Sequence, residues 1–361
     1  MEVYLFIEPE YENSPWCNSI LQGLRSAFSY KKRSLTPITS LDNLNSAQKG
    51  SFLILVGSNP SWIKAALLNK NTKKIHPVIL SSQPYRSLPG IYSYVTSDSK
   101  GSMNYLLSYF KNNGKNKPAL YGVNINSLPN IARKERFLSN SIFETNEEDI
   151  FYNNGSVDEC FASFEKQVSK YDCVICVNDY AAIHLIKQLE RIGKENMLIA
   201  SYGGSLLSAN FYPCLLTVST CYEEFGKAAL SICETLHKNS ALQYISVSVK
   251  HKIQLPQKNN QEEVYYNIIE PDENTPKEND NFYNDQKMNQ LLLIEKMLSK
   301  CDATDIKILH MLLKNIQYEQ IAIDCYISLN TVKYRVKQMC EKCGCSSKKE
   351  LLLLITGHHL L

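Results

Sequence analysis

Toward its C-terminus the chain places Lys333, Tyr334, Arg335 and Lys337 within about one helical turn. Lysine and arginine neutralise phosphates or donate to guanine edges. Ser328, Asn330 and Thr331 just precede them, and their hydroxyl and amide groups are of the kind that holds backbone register on a duplex. Four such residues alone describe a solvated helix face as well as a nucleic-acid interface. Two other groupings invite chemistry. Cys340-x-x-Cys343-x-Cys345 has metal-ligand types, but Cys343 falls on an apolar stripe. No second Cys/His pair follows at finger spacing, since His358-His359 lie beyond the last helix. Cys173 and Cys176 fall on a strand, where residues i and i+3 point to opposite faces and cannot share a metal or bridge easily. Core cysteines are the reading for both. No G-x-S-x-G elbow, P-loop or G-x-G-x-x-G occurs, and the seven histidines form no recognisable motif. No catalytic residue, metal site or cofactor is predicted.

The elements around the basic face decide between its two readings. A leading helix is predicted over about 287–300, and four helical pieces follow. Ile306, Leu309 and Leu313 share one face of the first, which stops near Asn315, a residue that tolerates the left-handed conformation. The second is short, about Tyr318–Cys325, and buries Ile321, Ala322 and Cys325. After a turn through Tyr326-Ile327, Ser328 is placed to cap a third helix whose buried stripe is Val332, Val336, Met339 and Cys343. Ser347-Lys348-Lys349-Glu350 has the capping-box pattern for a fourth. A short helix, a tight turn and a second helix with a basic outer face match helix-turn-helix geometry.

Ile321-Ala322, Ile327-Ser328, Asn330-Thr331-Val332-Lys333, Arg335-Val336 and Lys342-Cys343-Gly344 together resemble the LuxR-type helix-turn-helix. The resemblance implies that Lys333, Tyr334 and Lys337 face bases, with Ser328, Thr331 and Arg335 near phosphates. Two positions depart from the pattern: Lys307 stands where the family usually has glutamate, and Asn315 where it usually has glycine.

Charge divides the 361 residues into three parts. Residues 257–285 hold two lysines against eight acids, with Pro271, Pro276 and many asparagines, and are expected to form an acidic flexible linker. Residues 286–361 carry eleven Lys/Arg against seven acids. Residues 1–256 alternate short β-rich runs, such as Val3–Ile7, Phe52–Val56 and Cys173–Val177, with helix-period segments such as Ile183, Ile186, Leu189 and Ile192. That alternation predicts parallel sheets covered on both faces. About 250 residues exceed one minimal α/β lobe, so two lobes with a cleft are expected. The fold class is thus α/β, a bilobed parallel-sheet body followed by an all-α unit.

Within that body, Asn178-Asp179, Arg191-Ile192-Gly193, Thr217-Val218 and Gly226 resemble the effector domain of LacI-type repressors, a type I periplasmic-binding-protein fold. Weaker matches precede them in order: Asn13-Ser14-Pro15-Trp16, Gln22-Gly23-Leu24, Val95-Thr96-Ser97-Asp98 with Gly101, and Ala132-Arg133 with Phe137. The resemblance implies a cleft lined by Trp16 for stacking and by Asp98, Arg133 and Asp179 for hydrogen bonding, suited to a small polar or sugar-like ligand. Core packing of Trp16, a surface ion pair at Arg133 and helix capping by Asn178 or Asp179 fit the same residues. The family usually has an acidic residue where this chain reads Ser201-Tyr202-Gly203-Gly204, and often glutamine at Thr220. It also places its DNA-binding unit first, whereas the unit here is last.

Composition is ordinary, at 44% hydrophobic and 21% charged, which excludes disordered and fibrous classes. No apolar run approaches the ~18 residues of a membrane span. The first residues lack a basic region and cleavage site, and the twelve cysteines are scattered, so a cytoplasmic protein with reduced thiols is expected. Many LuxR-type units follow a phosphorylated receiver, but a receiver is about half this body's length and needs an acidic pair that Glu8-Pro9-Glu10 supplies poorly. The sequence therefore predicts a homodimeric transcription regulator that binds double-stranded DNA. A ligand-binding module that grips a protein partner and an enzyme using the cleft are the alternatives. The leading helix or the fourth helix is a candidate dimer contact, or packs within one chain.

Overall fold

The computed structural model describes residues 1–9, 12, 15–57, 59–81, 88–125, 127–256 and 285–356. The expected linker (but for Asp285), Asn13, Ser14 and His358-His359 lie outside the described residues.

Two six-stranded sheets form the body. The first contains β1 (Val3–Ile7), β2 (Thr36–Ile38), β3 (Phe52–Val56), β4 (His76–Leu80), β5 (Ser93–Ser97) and β11 (Ser246–Val249), in the order β11-β5-β4-β3-β1-β2, all parallel. The second contains β6 (Pro118–Val123), β7 (Ile150–Tyr152), β8 (Cys173–Cys176), β9 (Leu198–Gly203), β10 (Leu216–Thr220) and β12 (His251–Gln254), in the order β12-β10-β9-β8-β6-β7. Among the described residues only β12 runs antiparallel, against β10. The central strands β3, FLILV, and β8, CVIC, are buried at every residue. Parallel strands covered on both faces require such continuous apolar runs. Cys173 and Cys176 do point to opposite faces of the second sheet, into different apolar clusters.

Helices α1 (Pro15–Tyr30), α2 (Pro60–Leu68) and α8 (Tyr222–Lys238) cover the first sheet. The second is covered by α3 (Ser99–Asn112), α4 (Leu128–Leu138), α5 (Val157–Glu165), α6 (Asp179–Arg191) and α7 (Leu206–Phe211). Among the described residues the chain passes between lobes three times, from β5 to α3, from β10 to α8 and from β11 to β12. The first and third passages touch: the Asp98 N–H donates to the Val249 carbonyl (2.9 Å).

The C-terminal unit contains α9 (Gln286–Leu298), α10 (Ala303–Leu313), α11 (Tyr318–Asp324), α12 (Leu329–Lys342) and α13 (Lys348–Thr356). It is packed on the second lobe. One apolar cluster runs from Phe164, Ile183 and Leu207 through Leu291, Ile294 and Leu298 to Ile308, Val336 and Ile355. The apolar face of the leading helix, α9, is thus covered within one chain, against α6, α7, α12 and α13. Among the described residues, no helix is long and apolar enough to cross a membrane.

Candidate ligand cleft and nucleic-acid interface

In sheets of this kind ligands lie outside the carboxyl ends of the strands. There the passages between lobes assemble a polar cluster. Asp98, which follows β5, caps α3 by accepting the Gly101 N–H at Oδ1 (2.9 Å). Arg133 of α4 donates from Nη1 to the Val177 carbonyl (2.9 Å) and lays its guanidinium 4.4 Å from the ring centroid of Tyr202 on β9. That is cation–π geometry. Tyr202 is buried, its hydroxyl lies 3.4 Å from Ser102 Oγ of α3, and its ring meets His251 edge-on at 6.2 Å. Burial first, then the Arg133 charge, pushes His251 down to about 4, so the imidazole is neutral near pH 7. Its Nδ1 is buried and has no hydrogen-bond partner among the described residues. Asp98 and Arg133 are therefore brought together around Tyr202 and His251.

Trp16 lies on the other lobe. It is half-buried near the start of α1 and tilts against Tyr222, the first residue of α8, with centroids 6.2 Å apart. Both helix starts follow carboxyl ends of strands, so this aromatic pair borders the cleft side of the first lobe.

Asp179 has a different occupation. It is 1% exposed. Asn178, not Asp179, caps α6 by accepting the Ala181 N–H (2.8 Å). Oδ1 of Asp179 accepts the Ser201 hydroxyl; Oδ2 accepts the N–H groups of Gly204 (2.8 Å) and Ser205 (2.7 Å) and the Ser208 hydroxyl (2.7 Å). Four donors of this chain thus converge on one carboxylate. Two glycines permit the approach. A Cβ on Gly203 would stand 2.6 Å from the Asp179 carboxyl carbon, and Gly204 has φ +91° with Ser219 against it.

The helix-turn-helix is built by local caps. Asn315 (φ 58°), Tyr326 (φ 55°) and Gly344 (φ 67°) follow α10, α11 and α12 in the left-handed conformation. Each is accompanied by the paired backbone bonds of a Schellman motif, as in Tyr326 N–H to the Ile323 carbonyl and Ile327 N–H to the Ala322 carbonyl. Ser328 caps α12 by accepting the Thr331 N–H (3.0 Å), and its Oγ lies 2.8 Å from Thr331 Oγ1. Val332, Val336, Met339 and Cys343 are buried. Asn330, Lys333, Tyr334 and Lys337 are exposed on the opposite face, Tyr334 by 63%. Lys337 Nζ stands 3.7 Å from Glu341. Arg335 donates from Nη1 to both Asp302 and Asp305 (2.8 Å each), which ties α12 to the first turn of α10. Lys307, one of the departures noted above, donates to the Asp324 carbonyl at the end of α11 (2.9 Å), where a cation complements the helix dipole. Cys340 and Cys343 are buried and Cys345 half-buried, with burial pushing the Cys345 thiol up to about 11.

No family model matches the chain, and no curated protein does. Solved structures do. The transcriptional regulator CelR in complex with cellobiose superposes with a TM-score of 0.54 at 13% identity, over 71% of this chain and 84% of that one. CcpA of Lactococcus lactis, a transcription regulator, gives 0.52 at 19% identity, over 70% and 97%. The LacI-family regulator CcpA of Weissella paramesenteroides with bound glucose gives 0.52 at 20% identity, over 71% and 97%. The likeness is one of fold. The body of this chain shares the two-lobed α/β fold of those structures.

The share of this chain covered is close to that of residues 1–256. Within them, sequence reasoning missed Ser102, Tyr202 and His251 of the polar cluster. Tyr202 sits at the end of a strand, a position that could have been singled out. His251 reaches the cluster only because the third passage crosses there, which no local pattern announces.

Proposed function

We propose that the protein is a transcription regulator whose two-lobed sensor controls a LuxR-type helix-turn-helix on duplex DNA, acting as a homodimer. The observation that carries this reading is the exposed face of α12. Asn330, Lys333, Tyr334 and Lys337 stand outward from a helix whose other face is buried, behind a short helix and a left-handed turn at Tyr326. In such a motif the recognition helix enters the major groove. On this reading Lys333, Tyr334 and Lys337 meet base edges, and Ser328, Thr331 and the donors of Arg335 beyond its ion pairs lie near phosphates. The three units are residues 1–256, a linker over 257–285, and 286–361. A homodimer presents two recognition helices to symmetric half-sites about one DNA turn apart.

The ligand we assign to the cleft is small, polar and sugar-like. Arg133 offers donors, Asp98 a carboxylate, His251 an acceptor at Nδ1, and Trp16 with Tyr222 an aromatic wall. Solved structures of this fold with cellobiose or glucose bound support the class of ligand. Asp179 acts on this site indirectly, by positioning the loop after β9.

The test is a selection of genomic fragments by the full-length protein and by Lys333→Ala/Lys337→Ala. A shared, roughly palindromic site lost by the double variant supports the reading. Equal, weak retention of all fragments by both proteins overturns it in favour of a module that binds a protein partner.

A further inference from the structure

The short helix α7 is held from two sides. From the cleft side, Asp179 takes the N–H groups of Gly204 and Ser205 and the hydroxyl of Ser208. From the other side, Glu295 of α9 reaches in from the C-terminal unit. Its Oε1 accepts the Leu206 N–H (2.7 Å) and its Oε2 the Leu207 N–H (2.8 Å). Glu295 is half-buried as a residue, yet its carboxylate lies deep: burial, and then the Asp179 charge, push the carboxyl up to about 7 against the pull of its two donors. The Asp179 charge is therefore felt at Glu295 across the first turn of α7.

The path from cleft to recognition helix is continuous. Arg133 lies on the ring of Tyr202. Tyr202 is followed directly by Gly203-Gly204-Ser205, the segment that Asp179 holds, and then by α7. Beyond Glu295, α9 packs on α12 and α13. Further bonds fix the same junction. Tyr212 donates to the Ile355 carbonyl (3.3 Å), Phe211 stacks on His310 (5.0 Å), and Val157 N–H donates to Asp285 (3.2 Å). The outer face of α12 stays exposed while the unit is docked in this way. Docking consequently fixes the direction in which α12 is presented and does not hide it.

We propose that α7 is the relay between sensor and DNA-binding unit: movement of the Tyr202–Ser205 segment on cleft closure shifts α7 between its Asp179 and Glu295 clamps and re-orients the docked C-terminal unit. The relay deepens the regulator reading and rests on it, since re-orientation matters only if α12 reads DNA. Two half-sites at fixed spacing convert a small rotation of each docked unit into a change of fit.

The test is hydrogen exchange, resolved by peptide, on the full-length chain. Asp179→Asn sits on the cleft side of α7, and Glu295→Gln on the far side. The relay predicts that Asp179→Asn raises exchange in α9 and α13 by 10-fold or more while the amides of β6 and β8 keep wild-type rates, and that the double variant adds little to the larger single effect. If Asp179→Asn unfolds the lobe, Ser208→Ala, which removes one donor only, takes its place with a smaller effect of the same pattern. Exchange confined to residues 203–208, or additive effects of the two sites, overturns the relay. This readout needs neither DNA nor ligand, so it separates failure of the relay from failure of the regulator reading. A second arm repeats the fragment selection with Glu295→Gln. Recovery of the same half-sites with a broader range of spacings supports the relay, and unchanged spacing overturns it.

Discussion

Asp179 and Lys333 each sit near the start of a helix, but the structure uses them in opposite ways. Asp179, at the start of α6, is enclosed and gathers two backbone N–H groups and two hydroxyls of its own chain. Lys333, in the second turn of α12, is exposed beside Asn330, Tyr334 and Lys337. The cleft region thus commits one of its expected ligand residues to holding a loop, while the helix-turn-helix turns its polar residues outward and holds itself together with caps and a buried stripe. An enclosed carboxylate acts on whatever it positions, and an exposed lysine acts on a partner. The two kinds of residue should therefore fail differently when removed.

Asp179→Ala should give the largest effect. It leaves the Gly204 and Ser205 N–H groups without their acceptor, and each buried donor left unpaired costs on the order of 1–3 kcal/mol. Chemical denaturation would show that loss. A ligand-contact role would instead leave stability within about 0.5 kcal/mol of wild type.

The next effect is a pH dependence of the cleft cluster. The folded value of His251, about 4, lies below its ordinary 6.5. The unfolded chain then binds the proton first, so the stability that the neutral ring contributes is present above pH 6.5 and is lost as pH falls toward 4. At 1.36 kcal/mol per unit, the loss can reach about 3 kcal/mol. His251→Phe keeps the edge-on contact with Tyr202 and should flatten that limb of a stability–pH curve. An unchanged limb would move the titration to another group.

Lys333→Ala should leave the denaturation midpoint unchanged and weaken specific DNA binding by about 1–3 kcal/mol, read as a ratio of affinities for the selected site and unrelated duplex. The smallest expected change is a gain. Tyr326 holds φ 55° and is 95% exposed. Tyr326→Gly relieves a conformation that disfavours side chains and should stabilise the C-terminal unit by about 0.5–1 kcal/mol in thermal unfolding.

The same contrast explains what was legible beforehand. The helix-turn-helix is set by residues a few positions apart: Ser328 before α12, the Val332–Cys343 stripe, and Asn315 in the left-handed conformation that its side chain tolerates. Seven of the eight central strands could be read from apolar runs such as FLILV and CVIC; the eighth, β5, reads SYVTS and has no such run. The edge strands β2, β11 and β12 have three or four residues each with few consecutive apolar ones, and β7, although it reads IFY, is only three residues long; all four pair because neighbouring strands are already in place. The cleft cluster was half-legible. Asp98 and Arg133 followed from resemblance, whereas Ser102, Tyr202 and His251 come together through passages that join residues about 150 positions apart. The docking of α9 was equally hidden. Leu291, Ile294 and Leu298 announced an apolar face, and only the fold shows that the second lobe covers it, with Glu295 beside that face reaching α7.

The most direct test of the account is a salt titration of DNA affinity on a duplex recovered by the full-length protein, with wild type and Lys333→Ala/Lys337→Ala side by side. Counterion release gives a slope near −0.9 per phosphate neutralised. If α12 reads sequence, the wild type shows a steep slope and a clear preference for the selected duplex. The double variant then loses that preference, at a slope shallower by no more than about 2. Equal affinities and equal slopes for both proteins on selected and unrelated duplex would contradict sequence reading by α12.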